Sequence, residues 1–482
     1  MAHHLANEIP TRLLMWQRVR EYAVPPSMIE TATARRAVGD WAGACAAARV
    51  DVDFDLRAVR DRHGTDLVTR LRADLGRLAP DLLRWHMPRI APDGRLRPGL
   101  TISLAHYRSS GRAPLHLVVR TPPARADAGQ WMSLALWEGS GNEASRQHLP
   151  HPHPHPDRRF RLDLHRHLWD SGRSGELARR CGASSMTPPG QPIVHDSPWA
   201  ETGWAAEAEL LLRAERRPRG AFTVRLGARS RTVLELVAPD DSHAPTFRPL
   251  REALPPQEVA ALPVLPEAAA RVLPDLELLR AGLLAAERLH PLVAAVLATC
   301  GSVPVAGARP EPGDPHRVEC RGEVHRIALR GGVLTAVDHD PAQLRREELL
   351  VALGGPALPC LRAIDTVHRS PEALPAVRER LGHGDVAGAL AVVEGLLGPA
   401  AVLRDGPLRE ELESAAARRI DHGLFRSGLF ATHPGAGAAG DGNASGVGRA
   451  EAGHRPRFDR RTPPSIRHKR SSRARPRTGL AR

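Results

Sequence analysis

Asp163, His165 and His167 stand at alternate positions in the run Arg159-Phe160-Arg161-Leu162-Asp163-Leu164-His165-Arg166-His167. On an extended strand side chains alternate between faces. These three would share one face, and Phe160, Leu162 and Leu164 the other. Two imidazoles and a carboxylate in a row suit a divalent ion such as zinc, manganese or iron. Alternate strand residues lie about 6.6–6.8 Å apart. Metal–nitrogen bonds of about 2.0–2.1 Å then let His165 and His167 reach one ion. Asp163 sits further off, so it joins them only if the strand bends, or it acts on His165 from outside the coordination shell. The plainer reading of the same residues is an amphipathic strand with a solvated polar face.

The D-x-H-x-H pattern after an apolar strand resembles the first metal-binding strand of amidohydrolases and of phosphoesterases of the polymerase-and-histidinol-phosphatase type. The resemblance covers these nine residues. It implies a metal-dependent hydrolase with His165, His167 and Asp163 as ligands. The motif usually opens the barrel of those families, whereas here about 160 residues precede it. The strand–helix rhythm of a barrel is missing downstream. The bridging lysine of many amidohydrolases has no counterpart.

Other clusters of reactive residues have simpler readings. Pro150-His151-Pro152-His153-Pro154-His155-Pro156, with His148 beside it, places histidines at every second position. Alternating proline favours polyproline II, which points successive histidines about 240° apart. Residues 148–156 therefore read as an extended surface loop. Asp338-His339-Asp340 lies at a strand-to-helix junction, where Asp340 serves as a helix cap. Cys320 and His325 are close in sequence, but a nucleophilic pair needs thiol and imidazole within hydrogen-bond reach. A histidine on an apolar face reads more simply as structural. Gly435 to Gly440 matches G-x-G-x-x-G without a strand before it or a helix after it. Asp51-Val52-Asp53-Phe54-Asp55 begins like a calcium loop, but Leu56 fills the glycine position and Arg62 the glutamate position.

Composition excludes several classes. Of 68 basic residues in 482, one is lysine, Lys469. The body therefore has no lysine for a P-loop, a protein kinase or a Schiff base. The five cysteines, Cys45, Cys181, Cys300, Cys320 and Cys360, are odd in number and form no C-x-x-C pair. That pattern suggests neither a disulfide framework nor a cysteine zinc site. Residues 431–482 carry 12 basic and 3 acidic residues, whereas the rest carries 56 and 51. The body is thus not a basic nucleic-acid domain, and any such role belongs to the tail, non-specifically. No apolar run approaches the ~20 residues of a membrane span. A soluble, reducing, cytoplasmic setting is expected, with no membrane partner.

The elements that must position these residues follow from periodicity. Residues 1–92 read as a helical module, with Ser27 and Glu30 as a capping box and Asp40 and Asp55 as caps. Residues 98–240 read as a mainly antiparallel β region carrying the 148–156 loop. Phe160 to His165 is one of its strands. Residues 251–430 read as helical with a β-meander at 317–337. Residues 432–482 read as a disordered Arg-rich tail. The fold class expected is α+β.

Gly39-Asp40-Trp41-Ala42-Gly43-Ala44 recurs as Gly384-Asp385-Val386-Ala387-Gly388-Ala389. Both copies read as a turn leading into a small-residue helix. They resemble the inter-helix turn of tetratricopeptide repeats, though no 34-residue period links them. Gly43 and Gly388 are expected to allow a close helix contact. The function expected is a non-catalytic interaction or scaffold protein that binds another protein. The alternatives are the metal-dependent hydrolase, with a divalent metal such as zinc as cofactor, and a nucleic-acid-associated protein acting through its tail.

Overall fold

The computed structural model describes residues 9–107, 115–126, 128–139, 155–180, 197–217, 219–228, 230–237, 244–251, 253–299, 316–320, 323–330, 333–336, 338–355, 358–362, 364, 373–397, 403 and 405–427. The expected tail at 432–482 and most of the His/Pro loop lie outside these residues. The fold is α+β. Among the described residues no helix is long and apolar enough to cross a membrane.

The first helix among the described residues, Thr11–Arg18, runs into a π turn, Val19–Ala23. Pro25 ends it, because proline restricts the residue before it and donates no amide bond. The next helix, Pro26–Ala37, starts on Pro26 with no side-chain cap. The Ser27–Glu30 capping box is therefore not formed: proline at the first helical position already suits the orphan amides there. Helices Trp41–Ala47 and Leu56–His63 are capped by Asp40 and Asp55, as their side chains predict. Helices Thr65–Arg77 and Pro80–His86 complete the N-terminal set.

Strand β1 (Val50–Val52) interrupts those helices, and the short pair β2 (Arg89–Ile90) and β3 (Arg95–Leu96) follows them. Then come β4 (Thr101–Tyr107), β5 (Leu115–Arg120) and β6 (Met132–Trp137). The sheet order is β1-β6-β5-β4, antiparallel except for the parallel β1–β6 edge. One core joins the N-terminal helices, this sheet and the helical segments between Leu273 and Leu297. A second core lies between helix Trp204–Ala214 and the antiparallel sheet β7 (Gly220–Arg225), β8 (Arg231–Val237) and β9 (Thr246–Pro249). The meander is present as β10 (His316–Cys320), β11 (Glu323–Arg330) and β12 (Val333–Ala336), followed by helix Pro341–Ala352.

Phe160 to His165 is not a strand. Leu164 N and His165 N donate to Arg161 O and Leu162 O at 3.1 and 3.2 Å, and Arg166–Leu168 continues as a 3-10 turn. The segment's strand pairing with β4 is limited to a single bridge, Ser103 with Arg161. Without a partner to extend that ladder, local i→i+3 bonds satisfy the backbone instead. Burial then follows no strand alternation: Phe160, Leu162 and His165 are buried, as is every residue from His167 to Asp170.

The two echoed hairpins share one geometry. Gly39 and Gly384 have φ of +77° and +78°, which only glycine adopts readily. Asp40 accepts from Gly43 N at 2.8 Å and Asp385 from Gly388 N at 3.2 Å. Five residues earlier, Arg35 and Arg380 donate to the same carboxylates at 3.2 and 2.8 Å. A Cβ on Gly43 or Gly388 would lie 2.1 Å from its own cap carboxylate. These glycines therefore make room for the cap, not for the neighbouring helix expected from sequence. The hairpins differ in their surroundings. A Cβ on Gly384 would meet Gly129 O at 2.0 Å, whereas one on Gly39 meets nothing within 4 Å.

Candidate metal centre

The turns from 160 to 170 send Asp163 away from the two histidines, whose rings stay 5.9 Å apart. Asp163 turns to Arg161, whose Nε and Nη2 reach its carboxylate at 2.9 and 2.8 Å, and to His106 Nε2 at 3.2 Å. His165 and His167 are both buried, at 2 % exposure each. The Nδ1 of His165 faces Arg161 O at 2.9 Å, and its Nε2 faces Glu207 Oε2 at 3.1 Å.

Glu207 comes from helix Trp204–Ala214 and binds Arg180 through Nε at 2.7 Å and Nη2 at 2.5 Å. The Nη1 of Arg180 donates to Leu164 O at 2.6 Å and to His167 Nδ1 at 3.3 Å. A guanidinium cannot accept a hydrogen bond, so His167 Nδ1 is the acceptor. Burial, then the neighbouring His165 and Arg180, push the His167 imidazole well below its ordinary value and keep it neutral. Burial alone would raise the Glu207 carboxyl, but the bonds from His165 and Arg180 overcome it and hold the group down at about 2. A bidentate Arg–carboxylate pair of this kind is a strong, directional contact. Arg180 thus stands where a cation would have to sit between Glu207 and His167. Nothing in the nine-residue motif signals Glu207 or Arg180. They are 42 residues from His165 and 27 residues from each other, respectively, and meet only in the fold.

A different set of donors converges behind the meander. Among the described residues, Cys320, His339 and Cys360 place one ligand atom each within 4.8 Å of one another, all buried. Cys320 ends β10, where its Sγ lies 3.9 Å from His339 Nε2. His339 precedes the cap Asp340, which accepts from Ala342 N at 3.0 Å. Cys360 comes from the short helical segment beyond. His325 of β11 stacks on His339, ring centroids 4.3 Å apart, and its buried Nδ1 has no hydrogen-bond partner. Cys320 pairs with Glu323 and Val318 with His325 in the β10–β11 register, so Cys320 and His325 share a face.

The thiol of Cys320 therefore meets His339 and Cys360 rather than pairing with His325, its neighbour in sequence. Burial, reinforced by the Cys320 thiol, pushes the Cys360 thiol up. A thiol so placed is a poor nucleophile but a good metal ligand once its proton is displaced. The sequence pointed away from this cysteine site because its ligands follow no short spacing.

The main core holds further buried polar groups that no motif announced. Asp275 accepts from Arg20 Nη2 at 3.0 Å and from Trp85 Nε1 at 2.7 Å, with the Arg20 guanidinium 3.8 Å over the Trp85 ring. Asp81 receives His290 Nε2 at 2.9 Å. These contacts tie the Leu273–Leu297 segments to the N-terminal helices. Searches of known protein families, curated proteins and solved structures find nothing that matches this chain.

Proposed function

We propose that the protein is a non-catalytic interaction protein that holds an acidic, partly apolar segment of a partner protein between its two helical hairpins. The observation that carries this reading is the groove where the hairpins and helix Pro407–Arg426 face one another. Its walls include Met28, Trp131 and Ala387, with Arg49, Arg418 and Arg419 set against one carboxylate, Asp385. Asp385 already pairs with Arg49 at 3.4 Å. The arginines on this wall suit an acidic segment, and the apolar wall suits its hydrophobic residues.

A second support is the state of the motif residues. In a hydrolase built on Asp163, His165 and His167, the cation would have to displace Arg180 from Glu207. The nucleic-acid alternative rests on residues outside those described.

The test is a photo-cross-linking residue at Ala387, on the groove wall, with Ala58, an exposed position on another helix, as control. The expected result is one acidic protein segment attached at Ala387, absent at Ala58 and lost in the Arg418→Glu/Arg419→Glu variant. Adducts that are the same at both positions, or that survive charge reversal, overturn the groove reading. Metal-dependent hydrolysis that disappears in a folded His165→Ala protein would favour the hydrolase.

A further inference from the structure

We propose that Cys320, His339 and Cys360 bind one zinc ion, with His325 closing the tetrahedron. Tetrahedral zinc with Zn–S bonds of about 2.3 Å and Zn–N bonds of about 2.0–2.1 Å sets its donor atoms roughly 3.5–3.8 Å apart. The Cys320 Sγ to His339 Nε2 separation of 3.9 Å is already close to that value. The three donor atoms fall within 4.8 Å of one another. Closing that triangle requires only small side-chain rotations.

His325 is the fourth ligand proposed: it stacks on His339 outside the group of three, so its ring has to turn for Nδ1 to reach the ion. Its ring lies flat against His339 at a 28° interplanar angle, and its Nδ1 is buried and unpartnered. A buried polar atom without a partner is costly, and a metal bond removes that cost. Two thiolates and two imidazoles form a soft, nitrogen–sulfur set with no carboxylate, which selects zinc over magnesium or calcium. Two thiolates also cancel the two charges of the ion, so the loaded site is neutral and suits an apolar pocket. Binding releases the two thiol protons to solvent.

The surrounding core explains why such a staple is needed. The buried cluster here consists of Cys320, Ala336, Leu344, Leu358 and Cys360, only two of them leucines besides the alanine and the thiols. A core this small contributes little, and small units are commonly held by a structural metal. All ligands are protein side chains and all are buried, as in structural rather than catalytic zinc sites.

The experiment uses the full chain, purified without a metal-affinity tag under reducing conditions, then loaded with zinc or cobalt. About one zinc per chain is expected. The cobalt form should show the thiolate charge-transfer band together with the visible bands of tetrahedral cobalt. Cys320→Ala or Cys360→Ala should lose roughly half of the charge-transfer intensity or all binding, each removing one of two thiolates. These variants risk unfolding the meander, so His339→Cys is the second arm. It keeps the site and should raise the charge-transfer band to that of three thiolates. His325→Ala should weaken cobalt binding by about tenfold or more. The proposal is overturned by full-length protein that takes up no zinc while folded. It is equally overturned by bound cobalt with no thiolate band, which would place the metal on histidines elsewhere. A Cys320–Cys360 disulfide in protein isolated with its thiols trapped would also overturn it.

Discussion

Two buried clusters in this molecule each contain a pair of histidines, and they differ in what already occupies them. Around Glu207, Arg180 binds both carboxylate oxygens and the Nδ1 of His167, and His165 completes the contact. Behind the meander, two thiols and one imidazole converge with no charged side chain among them, and a second imidazole, His325, stacks on the first with its Nδ1 lacking a hydrogen-bond partner. Residue type alone favours the first cluster as a metal site, since its motif is compact in sequence. Saturation favours the second. A guanidinium placed among potential ligands performs the electrostatic role of a cation there.

The contrast is broken most sharply by removing metal. Chelation of the zinc-loaded chain should unfold residues 316–362 and leave the main core intact, because structural zinc contributes about 10–16 kcal/mol to the units it folds. Hydrogen exchange by mass spectrometry reads this directly. Fast exchange in β10, β11 and β12 with unchanged protection in β4, β5 and β6 is the expected pattern. Equal protection in both states would place the stability of the meander in its own packing.

A saturated cluster should instead fail when one partner is deleted. Asp275→Ala leaves the buried Arg20 charge and the Trp85 indole N–H unmet. Loss of one partner from a buried pair costs about 3–5 kcal/mol. Urea unfolding should show that loss, and added zinc should not restore it.

Glu207→Gln is expected to cost somewhat less, about 1.5–3 kcal/mol for a charge-assisted hydrogen bond. Its pH signature is more specific. The Glu207 carboxyl is held near 2 when folded, against about 4.3 in an unfolded chain. A depressed carboxylate stabilises above the unfolded value and loses that contribution as pH falls through the folded one. The wild-type chain should therefore lose stability between about pH 5 and about pH 2, and the Glu207→Gln acid limb should be shallower. Parallel acid limbs would show that Arg180 does not hold this carboxylate.

The smallest effect compares the two hairpins, where packing rather than charge differs. Gly39→Ala and Gly384→Ala both place a side chain at positive φ, costing about 1–3 kcal/mol. Only the second drives its Cβ into the Gly129 carbonyl. Gly384→Ala should thus lower the melting temperature more than Gly39→Ala. Equal shifts would mean that the second hairpin is not held against residues 128–130.

Much of the local structure was legible. Asp40, Asp55 and Asp340 mark the helix starts that they cap. Alternation located β4, β5, β6, β7 and β8 to within a residue or two. The failures are local conflicts as well. Phe160, Leu162 and Leu164 alternate like a strand, but β4 offers only one bridge to them. Strand β1 was missed because its three residues sit among helices and gain their pairing from β6. The echo of Gly39-Asp40 in Gly384-Asp385 was visible, and the Arg35 and Arg380 five residues before each cap were a further signal available in the same lines of sequence.

The sequence by itself determined the caps, the hairpin turns, the strand periodicity and the lack of any lysine before Lys469. Each of these depends on residue identity or on contacts within about four or five positions, which secondary-structure geometry sets directly. Only the tertiary structure decided which polar residues meet. Glu207 reaches His165 across 42 residues, and Asp275 reaches Arg20 across 255. Cys320 finds His339 through the turns of a meander. Such meetings follow from how loops close and cores pack, and the free-energy cost of closing a loop depends only weakly on its length. No spacing in the chain therefore records them, and the metal ligands proposed here became visible only once the strands were paired.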